Sequence, residues 1–190
     1  MVKLLACQER SVFELAVSQR AVQKMNDKAK QIVDVINEVV VMPDVQSGFP
    51  DANGNTNVTW CNRALHIMLG RLNGQVSLIL EPKGIGWTNA NAMVRNARAN
   101  AERVPSAKVA QARANAGDLI IVVAENNSGS GHVALVCPDA EEFSEARGAL
   151  IGQAGLQNGI MRVYQGFGQR LTPTVGYYFI PYINPTCLKP

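Results

Sequence analysis

Three short stretches hold the side chains best suited to covalent chemistry: TWCN at 59–62, SGSGHV at 128–133 and IGQAG at 151–155. Cys61 falls where an amphipathic helix begins. With Thr59 as N-cap, Trp60 and Cys61 occupy the first turn, where unpaired backbone N–H groups and the helix dipole stabilise a thiolate and lower the thiol pKa. The same position also suits a small apolar residue filling the first turn of a core helix.

A nucleophilic cysteine gains from a neighbouring base, and the chain has two histidines, His66 and His132. His66 is five residues along the same helix, about 140° round from Cys61 at 100° per residue, so their side chains diverge. It reads as an ordinary, partly exposed helix residue. His132 opens a strand directly after SGSG, and alternation puts His132, Ala134 and Val136 on one face and Val133, Leu135 and Cys137 on the other. If the Cys61 helix packs on the first of these faces, thiol and imidazole meet there.

A base needs a third group to fix its ring. Gln153 shares a strand face with Ala149 and Ile151, and a buried amide on an apolar face must be hydrogen-bonded. Either the imidazole or a backbone group would satisfy it. Asn158 is the reserve candidate.

The elements that must position these groups are legible from periodicity. Val12, Phe13, Ala16, Val17, Ala21, Met25, Ala29, Ile32, Val33, Ile36 and Val40 trace one stripe over residues 9–41, predicting one long helix or two abutting ones, ended by Pro43. This helix packs on the core or serves self-association. The polar run QSGFPDANGNTNVT is a loop. A second helix spans about Trp60 to Leu72, with Cys61, Ala64, Leu65, Met68 and Leu72 on one face and Asn73-Gly74 closing it. Residues 88–116 predict a helix interrupted near Pro105, with Pro105 in the first turn of the second piece.

Beyond Gly117 the pattern turns to strands: DLIIVVA, then ENNSGSG as a flexible hairpin connection, then HVALVC, ALIGQA, IMRVYQ and VGYYFI. Helices followed by a meander of strands predict an α+β domain with an antiparallel sheet.

Composition narrows the function classes. With 190 residues, 47% of them hydrophobic, the chain suits one full core with appended helices. The net charge of +3, from 18 basic and 15 acidic residues, is too mild to define a nucleic-acid footprint. Arg95, Arg98, Arg103, Lys108 and Arg113 face one acid, Glu102, and read as a solvated helix face; there is no nucleic-acid-binding motif or aromatic stacking strip. Cys7, Cys61, Cys137 and Cys187 are widely scattered without a CxxC pair, against a structural zinc or a disulfide framework. The apolar run in MVKLLACQERSVF is too short for a secretory signal, and no segment approaches a membrane span. The expectation is synthesis in a cytoplasm, with any outside role reached by lysis, virion delivery or dedicated export.

The order TWCN, GDLIIVV, SGSGHVALV and IGQAG resembles the papain-like cell-wall amidases, namely the NlpC-like peptidases and the cysteine, histidine-dependent amidohydrolase/peptidase (CHAP) family, most closely the phage and prophage lysis type. The likeness covers roughly residues 51 to 180. It implies a papain-like α+β fold in which the nucleophile helix packs on an antiparallel sheet, with a catalytic domain over 46–190 and an N-terminal helical segment, 1–45, packed on its core. It implies Cys61 as nucleophile, His132 as base and Gln153 as orienting residue, a position where family members carry histidine, glutamate, asparagine or glutamine. Asn62, Trp60 and Trp87 are the implied substrate-binding residues, although a tryptophan also serves as a packing anchor. The implied function is hydrolysis of peptidoglycan amide bonds through an acyl-enzyme, with no cofactor, no nucleic-acid partner and no membrane insertion.

Some family members hold calcium just before the cysteine. Here Asp51, Asn53, Asn55 and Asn57 alternate as oxygen ligands would, but the stretch has one carboxylate, and Asn62 stands where an EF-hand has its bidentate glutamate. An Asn-rich turn and no metal is the expectation. Other functions fit the same residues: an antibacterial amidase effector, a non-catalytic wall-binding or virion structural protein on this scaffold, or an acyltransferase using the same pair.

Overall fold

The computed structural model describes residues 25–51, 53–54, 60–80 and 88–184. Helix α1 spans Asp27–Val40 and begins at Asn26, whose side chain accepts from the Ala29 N–H at 2.8 Å. That cap rules out one unbroken helix over 9–41, because Asn26 itself is extended. The upstream half of the predicted stripe lies outside the described residues. Ala29, Ile32, Val35, Ile36, Val39 and Val40 form the buried face, and Pro43–Val45 makes a 3-10 turn after the helix ends.

Helix α2 spans Cys61–Arg71, burying Cys61, Ala64, Leu65, Met68 and Leu69, and the chain leaves it through Asn73 at φ 55°. Its N-cap is Trp60, not Thr59 as the spacing predicted. Helix α3, Ala90–Asn100, is capped by Asn89; strand β1, Glu102–Val104, and helix α4, Ala107–Asn115, follow. The side chain of Ser106 caps α4, so Pro105 precedes the cap instead of sitting in the first turn.

The remaining strands are β2 (Leu119–Ala124), β3 (His132–Val136), β4 (Leu150–Gln153), β5 (Gly159–Arg162) and β6 (Gly176–Ile180). Between the last two lies helix α5, Val163–Leu171, kinked at Gly168 (φ 64°). The stretch IMRVYQ is therefore strand only as far as Arg162, where the Gln165 side chain accepts from the Arg162 N–H and starts the helix. All six strands pair antiparallel in the order β1-β6-β2-β3-β4-β5. The sheet is a meander from β2 to β5, and β6 crosses back to lie between β1 and β2.

The architecture is α+β in three layers. Leu119, Ile121, Val123, Val133 and Leu135 point into a core closed by α1, α2 and α3. Ile120, Val122, Ala134, Val136 and Ile151 point into a second core closed by α4 and α5. Burial on both sides explains why LIIVVA reads as an unbroken apolar run without alternation. Helix α1 belongs to the first core: a Cβ on Gly152 of β4 would lie 2.2 Å from Ile36 Cγ2, so the helix rests directly on the sheet there.

Candidate active site

The start of α2 is held from several sides. The Trp60 indole N–H donates to the Phe49 carbonyl at 2.9 Å, and its ring meets Phe49 edge-on at 6.4 Å. The Arg63 guanidinium lies over both rings and pairs with Asp44. Asn62 donates its side-chain amide to the Thr88 carbonyl at 3.0 Å, tying the helix start to the residue just before the α3 cap. Trp60 and Asn62 thus perform structural work with their polar groups, and neither lines the cavity beside His132 described below. Trp87, Thr59, Asn55 and Asn57 lie outside the described residues. Asp51 Oδ1 accepts from the Asn53 N–H at 2.8 Å, the hydrogen bond of a tight Asx turn.

His132 is set by an amide clamp that the sequence reading missed. The Asn91 side chain on α3 accepts from the Asn126 N–H at 3.0 Å and donates to the carbonyls of Asn126 and Gly129 at 3.1 and 2.9 Å. A Cβ on Gly131 would stand 2.3 Å from Asn91 Oδ1, so only glycine admits this approach. The loop predicted to be flexible is held by the Asn91 side chain, and also by the bond from Arg170 to the Ser128 hydroxyl. The signal was weak: Asn89 and Asn91 bracket a helix start, but nothing in their spacing identifies a partner 35 residues away.

Helix α2 packs on the Val133, Leu135 and Cys137 face, opposite to the face the alternation argument required. Thiol and imidazole meet all the same, because His132 is the first residue of β3 and its ring lies at the strand's end. The two side chains are close enough for each to shift the ionisation of the other. The other side of the site lies toward α5: His132 Nε2 is 2.6 Å from Gln153 Oε1 on the neighbouring strand β4, and Phe167 of α5 meets the imidazole edge-on at 4.6 Å between centroids. Since an amide oxygen only accepts, Nε2 carries a proton, and Nδ1 is left to face the sulfur.

Gln153 is 3% exposed and fully engaged, its Nε2 donating to the Gln157 carbonyl at 3.0 Å and to Met161 Sδ at 3.2 Å. Asn158 is committed elsewhere. Its Oδ1 accepts from the Gly155 N–H at 2.9 Å and its amide donates to the Val40 and Val45 carbonyls at 3.4 and 3.1 Å, fastening the β4–β5 turn to the end of α1 and the 3-10 turn after it. His66 sits half-buried along α2, with burial lowering its pKa.

Electrostatics follow from this packing. Burial pushes the Cys61 thiol up, but the charge and hydrogen bond of His132, with the backbone N–H groups of Val133 and Asn62, more than offset it and the pKa is lowered. Burial alone would lower the His132 pKa; the Cys61 charge and hydrogen bond and the Gln153 amide raise it. The pair favours thiolate and imidazolium together. Cys137 is the opposite case: burial and the Asp139 carboxylate hold its thiol at about 12, against a smaller lowering by Arg162.

The basic residues of 95–113 are largely paired. Arg95 and Arg98 share Glu125, and Arg113 bonds Glu102 and Asp118 while lying over Phe179. Among the described residues no helix is long and apolar enough to cross a membrane.

Compared with protein-family models and with curated proteins, the sequence finds no match.

Proposed function

We propose that the chain is a cysteine hydrolase of amide bonds, with Cys61 as nucleophile, His132 as general base and acid, and Gln153 as the residue that orients the imidazole. The observation that carries this reading is the His132 imidazole itself, fixed at 2.6 Å by a buried carboxamide and electrostatically coupled to the Cys61 thiol at the start of α2. The N–H groups of the first turn of α2 have no acceptor within the helix and are the proposed oxyanion donors; that of Cys61 is the first of them. The three-layer α+β architecture, with the cysteine at a helix start against an antiparallel sheet, is compatible with a papain-like fold.

In this mechanism the thiolate sulfur adds to the carbonyl carbon, the imidazolium proton passes to the departing nitrogen, and the C–N bond breaks to leave a thioester and a free amine. His132 then takes a proton from water, whose oxygen attacks the thioester carbon. The carboxylic acid leaves and the thiol–imidazole pair returns. Peptidoglycan is the proposed substrate, because the motifs around Cys61, His132 and Gln153 resemble those of cell-wall amidases. Action follows lysis, virion delivery or dedicated export.

Incubating purified sacculi with the wild-type protein, followed by mass spectrometry of the released fragments, tests the reading. New amine termini are expected from the wild type and from His66→Ala, and none from Cys61→Ala or His132→Ala. Equal release by wild type and Cys61→Ala removes the sulfur from the chemistry and overturns the proposal.

A further inference from the structure

A cavity of about 640 Å³ opens beside the imidazole, walled by β3, the β4–β5 turn and α5. His132 and Gln153 line it and Cys61 does not. Cys61 is 3% exposed in the core on the far side of the sheet, whereas the cavity lies on the α5 side. If the sulfur attacks an amide carbon, the half of the substrate that stays acylated to it extends from the α2 side. The half that departs with the imidazole proton lies against the imidazole. The cavity with the imidazole in its wall, and without the sulfur, is the place for that departing half.

Its lining has a definite chemistry. Polar groups come from Ser130, Gln157 and Gln165, and apolar surface from Leu156, Phe167 and Leu171. Among the described residues no Asp, Glu, Lys or Arg lines it. Arg170, on the same helix, has its guanidinium bonded to the Ser128 hydroxyl. Glycine at 166 keeps the wall thin: a Cβ there would lie 2.3 Å from Gln153 Oε1. The imidazolium in the wall already has the Cys61 thiolate as its counter-charge, and the remaining carboxamides, hydroxyl and bare backbone satisfy neutral amide groups but leave a carboxylate or ammonium without a counter-charge of its own.

We infer that this cavity is the leaving-group subsite and selects amides whose departing amine carries no free charge, that is, an uncharged residue with its carboxyl blocked as an amide or a continuing peptide bond. The inference rests on the hydrolase reading for its role, but its ligand preference is measurable without turnover.

The experiment uses the full chain with Cys61→Ala and two probes, N-acetyl-alanyl-alanine amide and the same dipeptide as its free carboxylate. Binding is followed by NMR at Phe167 and Leu171. The amide form is expected to bind at least about tenfold more tightly, the usual penalty for a buried charge without a partner. In parallel, wild-type kcat/KM is compared for acyl-alanine amide, acyl-alanine carboxylate and acyl-lysine amide with one common acyl half, and the neutral substrate is expected to lead by a similar factor. Leu156→Lys, at a position 85% exposed on the rim, is expected to narrow the gap between amide and carboxylate. Equal or tighter binding of the carboxylate, or no perturbation at the cavity by either probe, overturns the subsite. Preferential amide binding at the cavity without cleavage of any substrate sustains the subsite and overturns the hydrolase reading instead.

Discussion

His132 Nε2 and Gln153 Oε1 lie 2.6 Å apart across two neighbouring strands, and the glutamine spends its remaining donors on the Gln157 carbonyl and Met161 sulfur. The acceptor is therefore held from behind and cannot swing away from the ring. Replacing it with Gln153→Ala is expected to lower kcat/KM by ~10- to 100-fold, the value of a hydrogen bond to a charged partner. Gln153→Glu keeps the acceptor and adds negative charge, so it is expected to retain activity and move the alkaline limb of the pH profile upward. Steady-state kinetics of the two variants across pH would show this; equal loss in both would mean that the amide serves packing alone.

The thiol and imidazole shift in opposite directions, which sets the pH dependence. In the proposed mechanism, activity needs the thiolate and the imidazolium together. It rises as Cys61 deprotonates, below the ordinary thiol value, and falls as His132 loses its proton, above the ordinary imidazole value. A bell-shaped kcat/KM profile is expected, its two limbs belonging to the coupled pair. In His132→Ala the thiol loses its main counter-charge, so alkylation of Cys61 should require a higher pH. Iodoacetamide rates measured against pH check this, and an unchanged curve would contradict the ion pair.

The two free cysteines among the described residues provide an internal control. Cys61 is lowered, while Cys137 is held near 12 by burial and Asp139. Near pH 7, limiting alkylation of the folded protein followed by peptide mapping is expected to modify Cys61 at least ~10-fold faster than Cys137, because the thiolate is the reactive form. Comparable labelling of both would show that position in the fold confers no activation.

The clamp around Asn91 predicts a dynamic phenotype. Asn91→Ala removes the hydrogen bonds to Asn126 and Gly129 that pin the approach to His132. Faster amide exchange confined to residues 126–131 is expected, with kcat/KM down by ~10-fold because a positioned base is worth that much when its backbone loosens. Global denaturant stability should fall by no more than ~1–2 kcal/mol, since most of the loop's polar groups can turn to water.

At the junction of α1 and the sheet, Gly152→Ala is expected to cost ~1–3 kcal/mol, because the added methyl meets Ile36 at 2.2 Å in a packed core. A lower denaturant midpoint at unchanged slope is the expected signature.

Much of this molecule was readable before any coordinates. The β-branched runs marked β2 and β3, and a polar Gln153 on an apolar strand face announced its need for a partner. The choice of face for α2 went astray because alternation governs the middle of a strand, whereas His132 stands at its end and its ring reaches round it. Helix α5 is hidden in VYQGFGQRL, where Val163, Tyr164 and Gln165 read as the end of a strand. Strand β1 is three residues long and carries no period of its own; pairing with β6 creates it. The Asn91 clamp depends on a contact across 35 residues, which no local pattern encodes.

The proposed nucleophile is borne by α2 and the amide that steers its base by β4, on the α5 side of the sheet, and their contacts meet only where β3 begins. Rewriting the chain between Arg162 and Gly176 would reshape one wall while the sulfur's surroundings stay as they are. On the proposed chemistry, a lineage built on this plan is free to diversify what it releases without relearning how it attacks.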